Sequence, residues 1–365
     1  MVVNSDNKNN KIVYGVVGAG WRAEFFLRIA REMPERFEVC GLVTRDEEKG
    51  RGIENTWGIK TYKCIDDLLK AENPGFVVVS VAKEAAPSII AELAGAGVPV
   101  LAETPPAPDL EQLIKLNKLV KGAKIQVAEQ YHLQPLHFAR IAIANSGKLG
   151  EISQVQVSFS HGYHAVSIAR KLLRVGFENA SINAFEYASP IVAGPGRKGP
   201  PEQEKIVSVN REIALLDFGG KLVVYDFTKD QHRSWVRSIR VEARGDRGEI
   251  SNSEVRYLKD FKTPIEYELK RKNAGEDSNL EGYHLKGILA GEEWIYVNPF
   301  IPAKLSDDEI AVASCLEKMN TYVKGGPDFY SLAEASQDHY LGLMVRKAIE
   351  TKGPVLTKTQ PWAEE

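Results

Sequence analysis

Residues 16–26 read VVGAGWRAEFF, and the pattern GxGxxA formed by Gly18, Gly20 and Ala23 decides how the rest of the chain is read. The glycines lie between a β-branched run and a stretch with helical spacing, which is the context a dinucleotide fingerprint requires. Gly18 permits a tight turn and Gly20 lets the backbone approach a pyrophosphate. A helix beginning near Trp21 turns unpaired amides toward that anion. A purely structural glycine turn is the alternative.

Outward from this turn, short β-rich runs alternate with amphipathic stretches, the pattern of a parallel sheet with crossover helices. KIVYGVVG (11–18), FEVCGLVT (37–44), FVVVSVA (76–82), VPVLAE (98–103) and KIQVAEQ (124–130) are the expected strands. Beyond them the pattern changes. A helix near 136–145 is followed by EISQVQVSF, SINAFEYA, REIALLDF, KLVVYDFT, SIRVEAR, GEISNSEVRYL and PIEYELKR, a series that predicts a large, mostly antiparallel sheet. LSDDEIAVASCLEKMNTYV and SLAEASQDHYLGLMVRKAIET are the closing helices; in the second, Leu341, Met344, Val345, Ala348 and Ile349 make one buried stripe. GPGRKGPP (194–201) and residues 273–287 read as exposed loops.

The fold class predicted is therefore α/β, a doubly wound Rossmann domain followed by an α/β domain with an open sheet. Its expected divisions are a polar lead over 1–10, a dinucleotide-binding domain over 11–130, and a substrate and oligomerisation domain over 131–365. A chain of 365 residues with 43% hydrophobic and 26% charged residues suits two soluble globular domains. Its net charge of -2 gives no electrostatic case for nucleic acid or an anionic membrane. The polar start lacks the features of a signal peptide, and no apolar run reaches the roughly 20 residues of a membrane helix. Cys40, Cys64 and Cys315 lack CxxC spacing, so neither a disulfide framework nor a cysteine zinc site is expected, and a reducing cytoplasm is.

VVGAGWRAEFF, PVLAETPPAPDLEQL, KLGEISQVQV and QDHYLGLMVRKAIETKGPV together resemble the Gfo/Idh/MocA family of sugar and cyclitol oxidoreductases, over nearly the whole span from Lys11 to Trp362. The resemblance implies a nicotinamide cofactor, a carbohydrate or polyol substrate, and a homodimer or homotetramer. This sequence departs from the family at two places. The family's usual Glu-Lys-Pro is here Glu103, Thr104 and Pro105, and threonine keeps a hydroxyl donor but lacks the charge and reach of an ammonium. Where the family commonly has an aspartate four residues before a histidine, SHGYHAVSIARKLL has Ser160, Gly162 and His164.

His164 is thus the expected acid or base, assisted by Tyr163 or His161, with Thr104 donating at most a hydrogen bond. A histidine packed against the helix and bonded to backbone is the other reading of His164. Cofactor contacts are expected from Gly18, Gly20, Trp21, Arg22, Thr44, Arg45, Val81, Glu103, Glu129 and Gln130. Substrate contacts are expected from Tyr131, His132, His161 and Tyr163. Arg45 suits a 2'-phosphate and inclines the choice toward NADP over NAD, although Arg45 as a solvated charge with Asp46 starting a helix leaves NAD open. No metal site is expected, and Asp338-His339 reads as a helix-surface pair. The functional expectation is an NAD(P)-dependent oxidoreductase. A non-redox sensor, or a lyase or hydrolase using transient oxidation, remains the alternative.

Overall fold

The central strand of the first sheet, β1 (Ile12–Val17), carries apolar side chains toward both faces, and Tyr14 and Val16 are fully buried. A strand reads this way when helices cover both faces of a parallel sheet. The computed structural model describes residues 11–197, 199–277 and 280–364. The polar lead over 1–10, Lys198 in the first expected loop, and Ser278 and Asn279 in the second lie outside the described residues.

After β1 come α1 (Ala23–Glu32), β2 (Phe37–Val43), α2 (Glu47–Trp57), β3 (Thr61–Tyr62), α3 (Ile65–Ala71), β4 (Phe76–Val79), α4 (Ala86–Gly95), β5 (Val100–Ala102), α5 (Leu110–Leu119) and β6 (Ile125–Val127). The strands stand in the order β3-β2-β1-β4-β5-β6 and pair in parallel. This is the doubly wound sheet expected, with the reversal of strand order at β1 and β4. The strand that the sequence pattern does not show is β3, only two residues long. Helix ends follow local chemistry: the Asp46 carboxylate accepts from the Lys49 amide at 3.1 Å to open α2, and left-handed Gly58 closes it. Val17, Val79, Ala102 and Val127 meet Ile90, Leu93 and Leu116 in the core of this sheet.

Further along the chain are α6 (Pro135–Asn145), β7 (Ile152–Ser158), α7 (Gly162–Leu173), β8 (Ser181–Val192), β9 (Ile206–Asp217), β10 (Leu222–Thr228), β11 (Arg240–Gly245), β12 (Gly248–Ser251), β13 (Glu254–Asp260), β14 (Thr263–Asn273), β15 (Leu285–Ala290), β16 (Glu293–Val297), α8 (Asp307–Val323), α9 (Leu332–Thr351) and β17 (Val355–Leu356). Eleven strands form the second sheet, in the order β16-β15-β14-β13-β12-β11-β7-β10-β9-β8-β17. β7 and β10 run parallel, while β8, β9, β11, β12 and β13 pair antiparallel with their neighbours. GEISNSEVRYL is two strands and not one, because Asn252 takes a left-handed turn at φ 55° between β12 and β13.

The chain forms two compact units that are not contiguous in sequence. Among the described residues, the first comprises 11–133, 274–277, 280–285 and 299–336, and the second 134–197, 199–273, 286–298 and 337–364. The expected division at residue 130 therefore differs from the folded one, since α8 belongs to the first unit. The reason is its apolar face: Ile310, Ala311, Cys315, Leu316 and Met319 are buried as the helix packs on α1, β1 and β4. Ser306 and Glu309 form a reciprocal capping box at its start.

Candidate functional site

In the first unit the glycine turn has the required shape. Gly18 adopts φ +113°, and a Cβ there would lie 2.1 Å from the Ser80 carbonyl oxygen, so both conformation and close approach demand glycine. Its amide donates to the Val43 carbonyl at 3.0 Å, which ties the turn to β2. At Gly20 a Cβ would meet nothing within 4 Å. Open space therefore adjoins the start of α1, where no side chain caps the helix. An anion such as a pyrophosphate fits that space and the amide end of the helix beside it. Val81 lies against the same turn, 3.2 Å from the Gly18 Cβ position.

The other expected cofactor residues of this unit fall into two groups. Trp21 is 46% exposed and packs edge-on against Phe25, while the adjacent Arg22 donates to Glu103 at 2.9 Å and to Asp308 at 2.8 Å. Gln130 also donates to Asp308, at 3.2 Å. Two buried atoms of this cluster, Arg22 Nη2 and Gln130 Oε1, have no protein partner. A bound polar ligand would satisfy them. Glu103 sits at the end of β5, its amide bonded to Val79, and Thr104 follows in a cis peptide to Pro105. Glu129 is buried and accepts from the Tyr131 amide at 3.3 Å.

At the end of β2, Thr44 accepts from the Asp46 amide at 3.3 Å. Asp46 caps α2, and its bond from the Lys49 amide holds its carboxyl below the usual range. Arg45 is exposed and makes no ion pair among the described residues. Tyr131 and His132 lie on a single 3-10 turn, Tyr131–Leu133, with the His132 ring stacked on Tyr330 at 5.0 Å.

In the second unit the HGYH segment brings His161, Tyr163 and His164 together at the start of α7. Only residues 159–161 separate this helix from β7. Gly162 adopts φ 42°, and its amide donates to Tyr225 Oη at 3.2 Å; that hydroxyl donates to Glu212 at 3.0 Å. His164 is buried, with its ring 4.3 Å from Tyr163 and 5.3 Å from His161. Ser160, just before this segment, is fully buried.

Tertiary structure adds residues from three further elements. His232 lies 5.7 Å from the His161 ring and 5.0 Å from Phe227, and His339 lies 5.5 Å from Tyr163. Partial loss of water around the His161 ring, then His164, His232, Arg346 and Lys229, push its pKa below that of an ordinary imidazole, although the residue keeps an exposed face. His232, also exposed, is lowered in the same sense by partial desolvation, Arg233, His164 and Arg197. Asp338-His339 is not the expected surface pair. Asp338 is 2% exposed and bonded to Arg170 at 2.7 Å, and His339 is buried as well, because α9 is covered on that side. In sequence, the proximity of His232 and His339 carries no spacing signal at all.

Among the described residues no helix is long and apolar enough to cross a membrane, and no group of three His, Cys, Asp or Glu side chains could hold a metal ion. Residues 12–131 match the model of the oxidoreductase family with an NAD-binding Rossmann fold, Gfo/Idh/MocA. Among curated proteins no relative matches. Solved structures of similar fold include an oxidoreductase from Agrobacterium radiobacter in complex with NAD+, L-tartaric acid and magnesium, 15% identical, covering 94% of this chain and 98% of that one at a TM-score of 0.68. Levoglucosan dehydrogenase in complex with NADH and levoglucosan is 15% identical, with 96% and 100% covered and a TM-score of 0.69. GenD2 from gentamicin A biosynthesis, in complex with NAD, is 15% identical, with 98% and 99% covered and a TM-score of 0.66.

Proposed function

We propose, from the premise that residues 12–131 belong to the Gfo/Idh/MocA oxidoreductase family, that this chain is an NAD(P)-dependent oxidoreductase of a sugar, cyclitol or related polyol. The observation that carries the reading is the Gly18 turn, whose conformation and contacts admit glycine alone and whose neighbour Gly20 leaves room for a pyrophosphate. Proteins of like fold crystallised with L-tartaric acid and with levoglucosan, both polyhydroxylated or sugar-derived, support the substrate class.

When bound, the nicotinamide supplies a hydride acceptor or donor. Gly18, Gly20, Trp21 and Arg22 hold its phosphate end, with Val81 beside them. Thr44 and Arg45 take the ribose, and an unpaired Arg45 suits a 2'-phosphate, which inclines the reading toward NADP. Glu103, Glu129 and Gln130 serve the nicotinamide end. His164 takes or returns the proton of the reacting hydroxyl, and His161 and Tyr163 assist by hydrogen bonding. Thr104 donates a hydrogen bond, while Tyr131 and His132 orient the substrate. The three free cysteines suit a reducing cytoplasm.

Nicotinamide absorbance, followed with NADP and with NAD across a panel of sugars and cyclitols, tests this. Wild type is expected to turn over at least one of them, and His164→Ala to lose about 100-fold in kcat. Equal turnover in the two proteins removes His164 from the mechanism. The threonine and serine at positions 104 and 160 favour a second reading, a dinucleotide- and ligand-binding sensor. Cofactor binding by calorimetry with no turnover anywhere in the panel selects it. Product formed without net absorbance change selects elimination or hydrolysis through transient oxidation.

A further inference from the structure

Two neighbouring strands of the second sheet carry side chains to the HGYH segment. Tyr225 and Phe227 of β10 stand opposite Ala214 and Glu212 of β9, so all four share one face. The Phe227 ring lies 6.2 Å from His161 and 5.0 Å from His232. Tyr225 is buried and bonds to backbone instead: its hydroxyl oxygen accepts from the Gly162 amide at 3.2 Å, and its proton goes to Glu212 Oε2 at 3.0 Å. These roles cannot be exchanged, because a peptide N–H only donates and a carboxylate only accepts.

The peptide held in this way joins His161 to Gly162. Its carbonyl accepts from the His164 amide at 3.2 Å while its N–H is taken by Tyr225, so the plane is tied at both ends. His161 opens α7 without a side-chain cap, and Tyr225 supplies from another element the acceptor that a cap residue would give. Gly162 sits at φ 42°, where glycine alone turns its peptide at little cost. Movement of the turn toward α9 is closed off: a Cβ at Gly342 would lie 3.3 Å from the Tyr163 nitrogen and 3.5 Å from the Gly162 Cα. Rotation of the His161–Gly162 peptide is the motion that remains. It sets how the His161 ring faces that of His164, which stands 5.3 Å away at 83°.

We propose that Tyr225 and Glu212 are positioning residues for the histidine pair: Glu212 aims the tyrosine hydroxyl, the hydroxyl holds the His161–Gly162 peptide, and the peptide fixes His161 against His164. The carboxylate tightens this clamp, since a hydroxyl that donates to a charged acceptor becomes a better acceptor itself. Glu212 forms no ion pair among the described residues, so no cation competes with the hydroxyl for it. The proposal rests on the proton-transfer role given above to the HGYH segment, but not on the identity of the substrate. A reacting group misplaced by about 1 Å loses about 100-fold in rate, which is why such a clamp matters.

Histidine labelled with nitrogen-15 in the ring reads the clamp in the full chain without any turnover, the His161 and His164 signals being assigned from His161→Asn and His164→Ala. Both signals are expected to move in Tyr225→Phe and in Glu212→Ala. They are expected to stay near their wild-type positions in Glu212→Gln, whose amide oxygen still accepts from the hydroxyl. On a polyol that wild type turns over, the first two variants are expected to lose about 10- to 100-fold in kcat with KM for the dinucleotide within about twofold, and Glu212→Gln about threefold or less. Ile250→Ala is the control for lost stability. It opens a cavity on β12, three strands from β10, and is expected to lower the melting temperature while leaving ring signals and kcat unchanged. Unmoved ring signals in Tyr225→Phe overturn the proposal, as do an unchanged kcat in that variant or equal losses in Ile250→Ala. Moved signals in a chain that turns over nothing uphold the clamp and overturn only the redox reading.

Discussion

A methyl group at Gly18 would sit 2.1 Å from the Ser80 carbonyl oxygen, whereas at Gly20 it would enter open space. The two glycines are therefore expected to separate stability from binding. Gly18→Ala forces the backbone to move and is expected to destabilise the protein by about 2 kcal/mol or more. Gly20→Ala is expected to leave the melting temperature within a degree or so while weakening dinucleotide binding about tenfold, because its methyl fills the space where the pyrophosphate approaches. Thermal melts and calorimetry with NAD and NADP check both. His161 and His232 give a pH effect of definite sign. Their folded pKa values lie below the ordinary value of 6.5, so as pH falls the unfolded chain takes up protons first. Their contribution is fully present above about pH 6.5 and is lost as pH falls below it. The urea midpoint is expected to decline from pH 7 to 5, and less steeply in His161→Asn.

Among the elements, α7 and α9 show how a polar helix comes to be buried. Arg170 and Asp338 are each 2% exposed and bonded to one another. Asp338→Ala leaves a guanidinium buried with one partner removed, and a loss of about 3–5 kcal/mol in urea unfolding is expected. Replacing both residues by apolar ones of similar volume is expected to recover much of it. The stripe from Leu341 to Ile349 was legible because apolar residues recur at helical spacing. Asp338-His339 was not, because burial of a charged residue depends on a partner 168 positions away, which no local period encodes. In the same way α8 reads plainly as a capped helix, yet its place in the first unit follows from the surfaces it covers on α1, β1 and β4.

For the molecule as a whole, the wide sheet of the second unit leaves an apolar surface uncovered. Phe185, Tyr187 and Leu215 are 58%, 48% and 43% exposed. The register places Phe185 opposite Ile213, Asn183 opposite Leu215 and Tyr187 opposite Arg211, so these side chains share one face of β8 and β9. Covering such a face by a second copy is the simplest route to the expected homodimer or homotetramer. Light scattering coupled to gel filtration is expected to give an oligomer for wild type and a smaller species for Phe185→Glu. A wild-type monomer removes the expectation.

The sequence by itself determined the elements and the cofactor turn, since periods of two and 3.6, helix caps and glycine spacing are local consequences of backbone geometry. It also marked Thr104 and Ser160 as the two places where the chain parts from the pattern it resembles. Tertiary structure alone decided which side chains meet. His232 and His339 reach the HGYH segment from separate elements, and Asp308 joins Arg22 and Gln130 from α8. Electrostatics depends on distance through space, and distance along the chain does not contain it.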